Sequence, residues 1–202
     1  MTTPVLRPIQ TEEIPRLATS MSKAFFNDPM MEYLLTDENS RQKATTWMFE
    51  KLAAYCGKRG EVFTDETQTG GSVWLTPGNT TISPIGILLA GMWQMPFRFG
   101  LRGFMRFNKL DAMASKSHKK HMPGDHWYLL GIGTDPDRQG TGIGTAAIEI
   151  GAAKAQAAGL PVYLETTAES NVPYYEKRDF KVVEEIAVDD ELRIWSMVRN
   201  PS

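Results

Sequence analysis

The chain has 202 residues, 42% of them hydrophobic and 23% charged, with a formal net charge of -2. That size fits one domain whose core needs neither disulfides nor metals, and the charge excludes a whole-protein nucleic-acid footprint. Cys56, the single cysteine, reads as a small core residue in a reducing compartment, and with no signal-peptide apolar stretch in MTTPVLRPIQTEE and no membrane-length apolar run, a cytoplasmic protein is expected.

Thr3 to Pro8 can form a short first strand. Thr11 is placed to cap a helix running to about Phe26, with Ile14, Leu17, Met21, Ala24 and Phe25 at helical spacing. Asp28-Pro29 breaks it. A short helix over Met30 to Leu35 follows, then a longer one over Ser40 to Gly57 with Trp47, Met48, Leu52 and Tyr55 on one side. Glu61 to Thr64 and Ser72 to Leu75 read as a hairpin turned by Thr69-Gly70-Gly71.

Residues 84–122 read as a helical insertion in the single domain, 1–202. Met92, Trp93, Met95, Phe97, Phe99, Phe104, Met105, Phe107 and Met113 alternate there with Arg98, Arg102, Arg106, Lys109, Lys116, Lys119 and Lys120. One or two helices are expected, broken near Pro96 or at Gly100 to Gly103. They are either amphipathic helices with solvated basic faces or a flap lining a substrate pocket. A membrane-surface helix is a remoter reading, and exposed Met and Trp could equally serve a homodimer. His118 and His121 lie among lysines and are expected in solvent.

Trp127 to Gly133 is a near-continuous apolar run, as in a central strand buried on both faces. Gly142 to Ala158 reads as an Ala-rich helix, slim enough to pack closely on a sheet, with Gly159 as its C-cap. Pro161 to Thr166 is the next strand, Asn171 to Arg178 a short helix, and Lys181 to Ala187 and Arg193 to Met197 the closing strands. Strand, helix, strand demands a right-handed crossover and a parallel pair.

Between the central strand and its helix lies Arg138-Gln139-Gly140-Thr141-Gly142-Ile143-Gly144. Alternate glycines remove side chains, so backbone N–H groups can close on a ligand. The helix start adds unsatisfied donors and a positive dipole end. The result is an anion site suited to a pyrophosphate. A dinucleotide-binding unit is the rival, and Glu165 stands near where its ribose-binding acid would be. Against it, Asp135 to Gln139 separates strand from glycines, and little sequence follows Glu165 for a six-stranded fold. A phosphate-binding NTPase loop is excluded, since no Gly-Lys-Ser/Thr follows.

The segment resembles the GNAT acetyltransferase superfamily. Its Gln/Arg-x-x-Gly-x-Gly/Ala signature is matched by Gln139-Gly140-Thr141-Gly142-Ile143-Gly144, with Arg138 in front. A second family element, Asn, then Tyr, then Gly-Phe, is matched by Asn171, Tyr174-Tyr175 and Phe180, with Asp179 in place of the glycine. Asp tolerates a left-handed backbone better than most residues, so the turn can survive. His126 to Leu129 and Leu164 to Thr166 also resemble the branch around puromycin N-acetyltransferase. The strong match covers roughly residues 125–185.

The resemblance implies a mixed α/β fold: a central, mostly antiparallel sheet splayed at one parallel pair, with helices on both faces. It implies acetyl-CoA as co-substrate, no metal, and a small-molecule amine, less readily a hydroxyl, as acceptor. A protein acetyltransferase and a non-catalytic CoA-binding module are alternatives. By position, the backbone of Ile132, Gly133 and Thr134 would pair with the pantetheine arm, with a Thr134 N–H for the oxyanion. Arg138, Gln139, Gly140, Thr141, Gly142, Ile143, Gly144 and Thr145 would hold the pyrophosphate, and Asn171 would reach the cofactor. Tyr175 would donate a proton to the departing thiolate, with Tyr174 left as packing. Both tyrosines also read as core aromatics with a polar tip. Glu165 is the first choice of general base, or else an edge or cap carboxylate. His126 reads as structural, and Asp28 and Glu32 could read a cationic amine.

Overall fold

A computed structural model describes residues 4–82 and 84–202. In chain order it has β1 (Arg7–Pro8), α1 (Ile14–Ala24), α2 (Pro29–Leu34), α3 (Glu38–Arg59), β2 (Gly60–Thr64) and β3 (Gly70–Leu75). Next come α4 (Pro84–Leu89), α5 (Met95–His121), β4 (Trp127–Thr134), α6 (Ile143–Ala157), β5 (Val162–Thr166), α7 (Val172–Glu176), β6 (Lys181–Ala187) and β7 (Arg193–Arg199). The strands form one seven-stranded sheet in the order β1-β2-β3-β4-β5-β7-β6. Among the described residues only β4 and β5 run parallel.

Local chemistry explains most boundaries. The Gln10 N–H donates to Glu13 Oε2 at 2.9 Å, so Gln10, not Thr11, caps the helical turn before α1. Asp28 caps α2 through the Met30 N–H, and Asp37 caps α3. Gly159, at φ 65°, ends α6 with an Ala155 carbonyl bond to the Leu160 N–H. The turn between β2 and β3 is built differently from the expected one. The Asp65 carboxylate accepts from the N–H groups of Thr67, Thr69 and Gly70. Gly70 and Gly71 lie inside β3, where a Cβ would come within 2.9 Å of the Gly133 carbonyl and 2.1 Å of the Phe63 carbonyl. The Thr3 end of the first strand lies outside the described residues.

Alternation along β3 divides the core. Val73 and Leu75 face a cluster with Leu17, Met21, Met31 and Phe49 from the first three helices. Trp74 faces the other way, into a cluster with Ile143, Ala147 and Ile148 of α6 and Val162 and Leu164 of β5. Alpha5 crosses the first face and is kinked at Gly100, at φ 69° and ψ 167°. Its beginning and α4 leave large apolar side chains in solvent, including Phe97, Leu101 and Met105.

The splay has a visible origin. Beta4 pairs with β5 only through Trp127, Tyr128 and Leu129. On its other edge its register to β3 shifts between Leu129 and Gly131, leaving Leu130 as an extra, bulged residue. A bulge bends the strand that carries it. From there to Thr134, β4 leans away from β5, and no strand among the described residues covers that edge.

Candidate active site

The opened end of β4 is one wall of a cleft of about 500 Å³. Ile132, Gly133 and Thr134 line it from the strand, and Arg138, Gln139, Gly140, Gly142, Ile143, Gly144 and Thr145 from the glycine turn and the start of α6. Ala24, Phe25, Asp28, Asn171, Tyr174 and Tyr175 complete it. Gly140 and Gly142 adopt φ 76° and 89°, a region that side chains disfavour. An added Cβ at Gly140 would meet nothing within 4 Å, so the turn is open on that side. Alpha6 begins directly behind it with Gly142 as N-cap, so its first N–H groups and dipole face the cleft. Asp135 anchors the loop, accepting from Lys23 Nζ at 2.8 Å and from the Asp137 N–H. Lys23 holds the Asp135 carboxyl below its ordinary range. Pro4 borders the turn at Gly142, where a Cβ would lie 3.3 Å from its ring, but the open side at Gly140 leaves a cradle of backbone donors that fits a pyrophosphate.

Thr141 stands apart from the other turn residues. It is exposed, and its hydroxyl donates to the Arg138 carbonyl at 2.6 Å. Asp179 adopts φ 65°, the left-handed conformation that its place before Phe180 calls for. Tyr174 packs, as expected, but at the cleft wall: a Cβ on Gly144 would lie 2.9 Å from its hydroxyl. Arg178 stacks on the Tyr174 ring at 3.6 Å and donates to Thr145 Oγ1 at 2.5 Å, tying α7 to the start of α6.

Two further cavities adjoin the cleft. One of about 240 Å³ shares Phe25, Asp28, Ile132, Asn171 and Tyr175 with it. A third, of about 400 Å³, shares Tyr128, Leu130, Asp111 and Glu165 with the second. Tyr175 therefore stands where the cleft meets the second cavity. It is only 6% exposed, and its hydroxyl has no protein hydrogen-bond partner among the described residues. Burial, then Tyr174 and Asp28, push its phenol well above the ordinary value, so it stays protonated.

Glu165 lies one residue past the end of the β4–β5 pairing and pairs with Ser196 of β7, and its carboxylate points into the interior rather than capping an element. Tyr128 and Tyr163 both donate to it, Tyr163 at 2.8 Å. Burial raises its pKa despite these bonds. Asp111 of α5 adds charge beside it and is itself raised by partial burial, although its side chain lines both inner cavities and is exposed. Asp28 lines the cleft and the second cavity, accepts from the Met30 N–H at 2.9 Å and Thr167 Oγ1 at 3.2 Å, and is raised by burial. Glu32 lines none of these cavities; it is half in solvent, 3.6 Å from Arg41.

The histidines of α5 depart from expectation. His118 is half-buried, stacked on Tyr163 with centroids 4.4 Å apart, and its Nε2 lies 2.6 Å from that of His126. His126 Nδ1 donates to the Gly124 carbonyl, so its Nε2 accepts from His118. Burial lowers the His118 pKa to about 4. His121 lies 3.1 Å from Glu184. His126 is buried and structural, at the far end of β4 from the cleft.

Asp111, Tyr128 and Tyr163 were not among the residues singled out from the sequence. A signal for Asp111 exists: it is the sole acid in residues 84–122, among many bases. Tyr128 and Tyr163 gave none, because their shared target becomes visible only once β4 and β5 pair and set them side by side.

A sheet opened at a parallel pair, an anion cradle at the opening and a phenol between cleft and inner cavity form an arrangement that could hold a phosphorylated carrier beside a proton donor. The comparisons say which known proteins are similar. The model of the Acetyltransferase (GNAT) family matches residues 95–180. Over 96% of this chain and 82% of the relative, the sequence is 29% identical to the uncharacterised N-acetyltransferase C550.08 of Schizosaccharomyces pombe. A solved structure of histone acetyltransferase HPA2 and related acetyltransferase from Corynebacterium glutamicum is similar with TM-score 0.73 and 20% identity, covering 100% of this chain and 98% of that one. Arylalkylamine N-acetyltransferase 2 of Aedes aegypti is similar with TM-score 0.67 and 13% identity, over the whole of both chains. The last two likenesses are of fold. Residues 95–180 are thus similar to the GNAT acetyltransferase family, and that match and the relative support an N-acetyltransferase enzyme.

Proposed function

We propose that the protein moves an acetyl group from acetyl-CoA to a primary amine on a small molecule with an apolar body. The observation that carries this is the line of cavities, from the glycine cradle past Tyr175 to the carboxylates Glu165 and Asp111. The walls beyond Tyr175 are largely apolar, with Leu52, Ile82, Met92, Phe107 and Leu130. They suit an aliphatic or aromatic body, and the carboxylates suit its ammonium. The likeness of His126 to Leu129 and Leu164 to Thr166 to the puromycin N-acetyltransferase branch supports a small-molecule acceptor over a protein. So does the enclosure, since a peptide needs an open groove. A reduced Cys56 fits a cytoplasmic setting.

In this reading the glycine turn holds the pyrophosphate, and the uncovered edge of β4 holds the arm. The ammonium gives a proton to Glu165, and the free amine attacks the thioester carbonyl. The Thr134 N–H stabilises the oxyanion, and Tyr175 protonates the leaving sulfur. Asp28, at the junction, can help to orient the amine.

A panel of amines with acetyl-CoA, read by release of free thiol, tests this. Primary amines with an apolar chain or ring are expected to be acetylated with kcat/KM at least about tenfold above polar amines of equal length, one lost buried contact group being worth about that factor. Preferential acetylation of peptide amino groups would overturn the reading.

A further inference from the structure

Behind Glu165 a line of hydroxyl groups runs through the protein to its surface. Tyr163 Oη lies 2.8 Å from Glu165 Oε1 and 3.0 Å from Ser196 Oγ. Ser196 Oγ lies 2.9 Å from Ser117 Oγ, and Ser117 Oγ lies 2.5 Å from Glu184 Oε2. The links come from β5, β7, α5 and β6 in turn. Tyr163, Ser196 and Ser117 are at most 2% exposed. Alanine would fill the two serine positions with no polar group to satisfy, so the unbroken polar line needs an account beyond packing. It ends at water: Glu184 is partly exposed and paired with Lys120 at 2.8 Å and His121 at 3.1 Å.

We propose that Tyr163, Ser196 and Ser117 relay the acceptor's proton from Glu165 to Glu184 and so to solvent. The proposal rests on Glu165 being the general base, as read above. An amine with an apolar body fills the cavity and closes Glu165 off from water on that side, which leaves the hydroxyl line as the exit. The ammonium N–H bond breaks and an O–H bond forms on Glu165. Glu165 then gives this proton to Tyr163 as Tyr163 gives its own to Ser196, Ser196 to Ser117, and Ser117 to Glu184. Each hydroxyl gains one hydrogen and loses one, Glu165 returns to carboxylate, and Glu184 passes the proton to water. Tyr163 donates to Glu165 while that group is a carboxylate; once Glu165 is protonated it becomes the donor and the Tyr163 O–H turns to Ser196 Oγ, so that each hydroxyl then has one acceptor ahead and one donor behind, as this shift requires. The groups facing the two ends are Asp111, Tyr128 and Tyr163 at Glu165, and Lys120, His121 and Ser117 at Glu184. Lys120 and Ser117 hold the Glu184 carboxyl at about 2, so it does not retain what it receives.

The test uses Ser196→Ala and Ser117→Ala, singly, with Ser196→Thr and Glu165→Gln beside them. Each alanine variant is expected to lower kcat about tenfold or more, within the range of lost proton-transfer help. KM for both substrates should stay unchanged. The solvent deuterium effect on kcat should change from a curved to a linear dependence on deuterium content, as fewer protons move together. Ser196→Thr, which returns the hydroxyl, should restore both rate and curvature. Wild-type kcat and curvature in both alanine variants would overturn the relay. If Glu165→Gln is inactive while they are unaffected, the relay fails and the base stands. If Glu165→Gln keeps full kcat, the base reading fails and the relay with it.

Discussion

Tyr175 has the surroundings that an acid for a departing thiolate needs. Its ring packs on Tyr174 and Phe180, with centroids 5.5 and 5.9 Å away, so its position is fixed by the aromatic edge contacts. Its hydroxyl is not consumed by a protein partner, and burial keeps it protonated. Tyr175→Phe removes the donor and keeps the packing. We expect kcat to fall about 10²–10⁴-fold with acetyl-CoA affinity nearly unchanged, measured by turnover and by calorimetric titration. Wild-type kcat would remove the acid role. At this scale the sequence was readable for position where a motif fixes it: Gly140, Gly142, Gly144, Asn171 and Tyr175 all line the cleft. It was unreadable where a side chain acts through a distant partner. His118 looks solvated among lysines, yet the fold stacks it on Tyr163, 45 positions downstream by number, at 4.4 Å. Glu32 looks like a companion to Asp28, yet its helical position turns it toward Arg41.

Elements were legible when their period and punctuation agreed. Alpha6 is the clearest case: Ala-rich, started by Gly142 and stopped by Gly159. Less legible was the meaning of glycine where two causes compete. Gly70 and Gly71 read as turn residues, but the room they leave is for a neighbouring strand and α6, not for a left-handed backbone. The bulge at Leu130 has no local signature, because it exists only in the register between β3 and β4. Gly151 in α6 permits a test of which cause governs. Alanine there would gain up to about 1 kcal/mol of helix propensity. Its Cβ would also fall 2.3 Å from Trp74 Cζ2. Trp74 is fully buried and its Nε1 donates to Ser72 Oγ at 2.8 Å, so the ring has little freedom to retreat. Overpacking of this kind costs about 1–3 kcal/mol, so Gly151→Ala should lower Tm by a few degrees in a thermal melt. A raised Tm would mean that propensity wins and that α6 rides higher on the sheet than it does here.

The whole molecule separates the duties of its two sheet faces around one opening. Alpha6 and α7 back the anion cradle, with the end of α1 at its side, while α2, α3 and α5 wall the inner cavities. The parallel pair β4–β5 is the seam between them, and a ligand laid along it would touch both halves. The glycine turn alone would admit a dinucleotide as well as CoA. On the proposed reading the splayed edge favours CoA, because it offers a slot for an extended arm leading to Tyr175, and among the described residues no parallel strand beyond β5 is present to form a second nucleotide half. Acetyl-CoA should therefore bind the native state and raise Tm. At about 100 times its Kd the gain is about 2.7 kcal/mol, or roughly 5–10 °C for a domain of this size. NAD(H) and NADP(H) at equal concentration should leave Tm unchanged, since they have no arm to fill the slot and only the cradle to grip. A stabilisation by a nicotinamide dinucleotide without one by acetyl-CoA would show that the cradle, not the seam, sets what this protein binds.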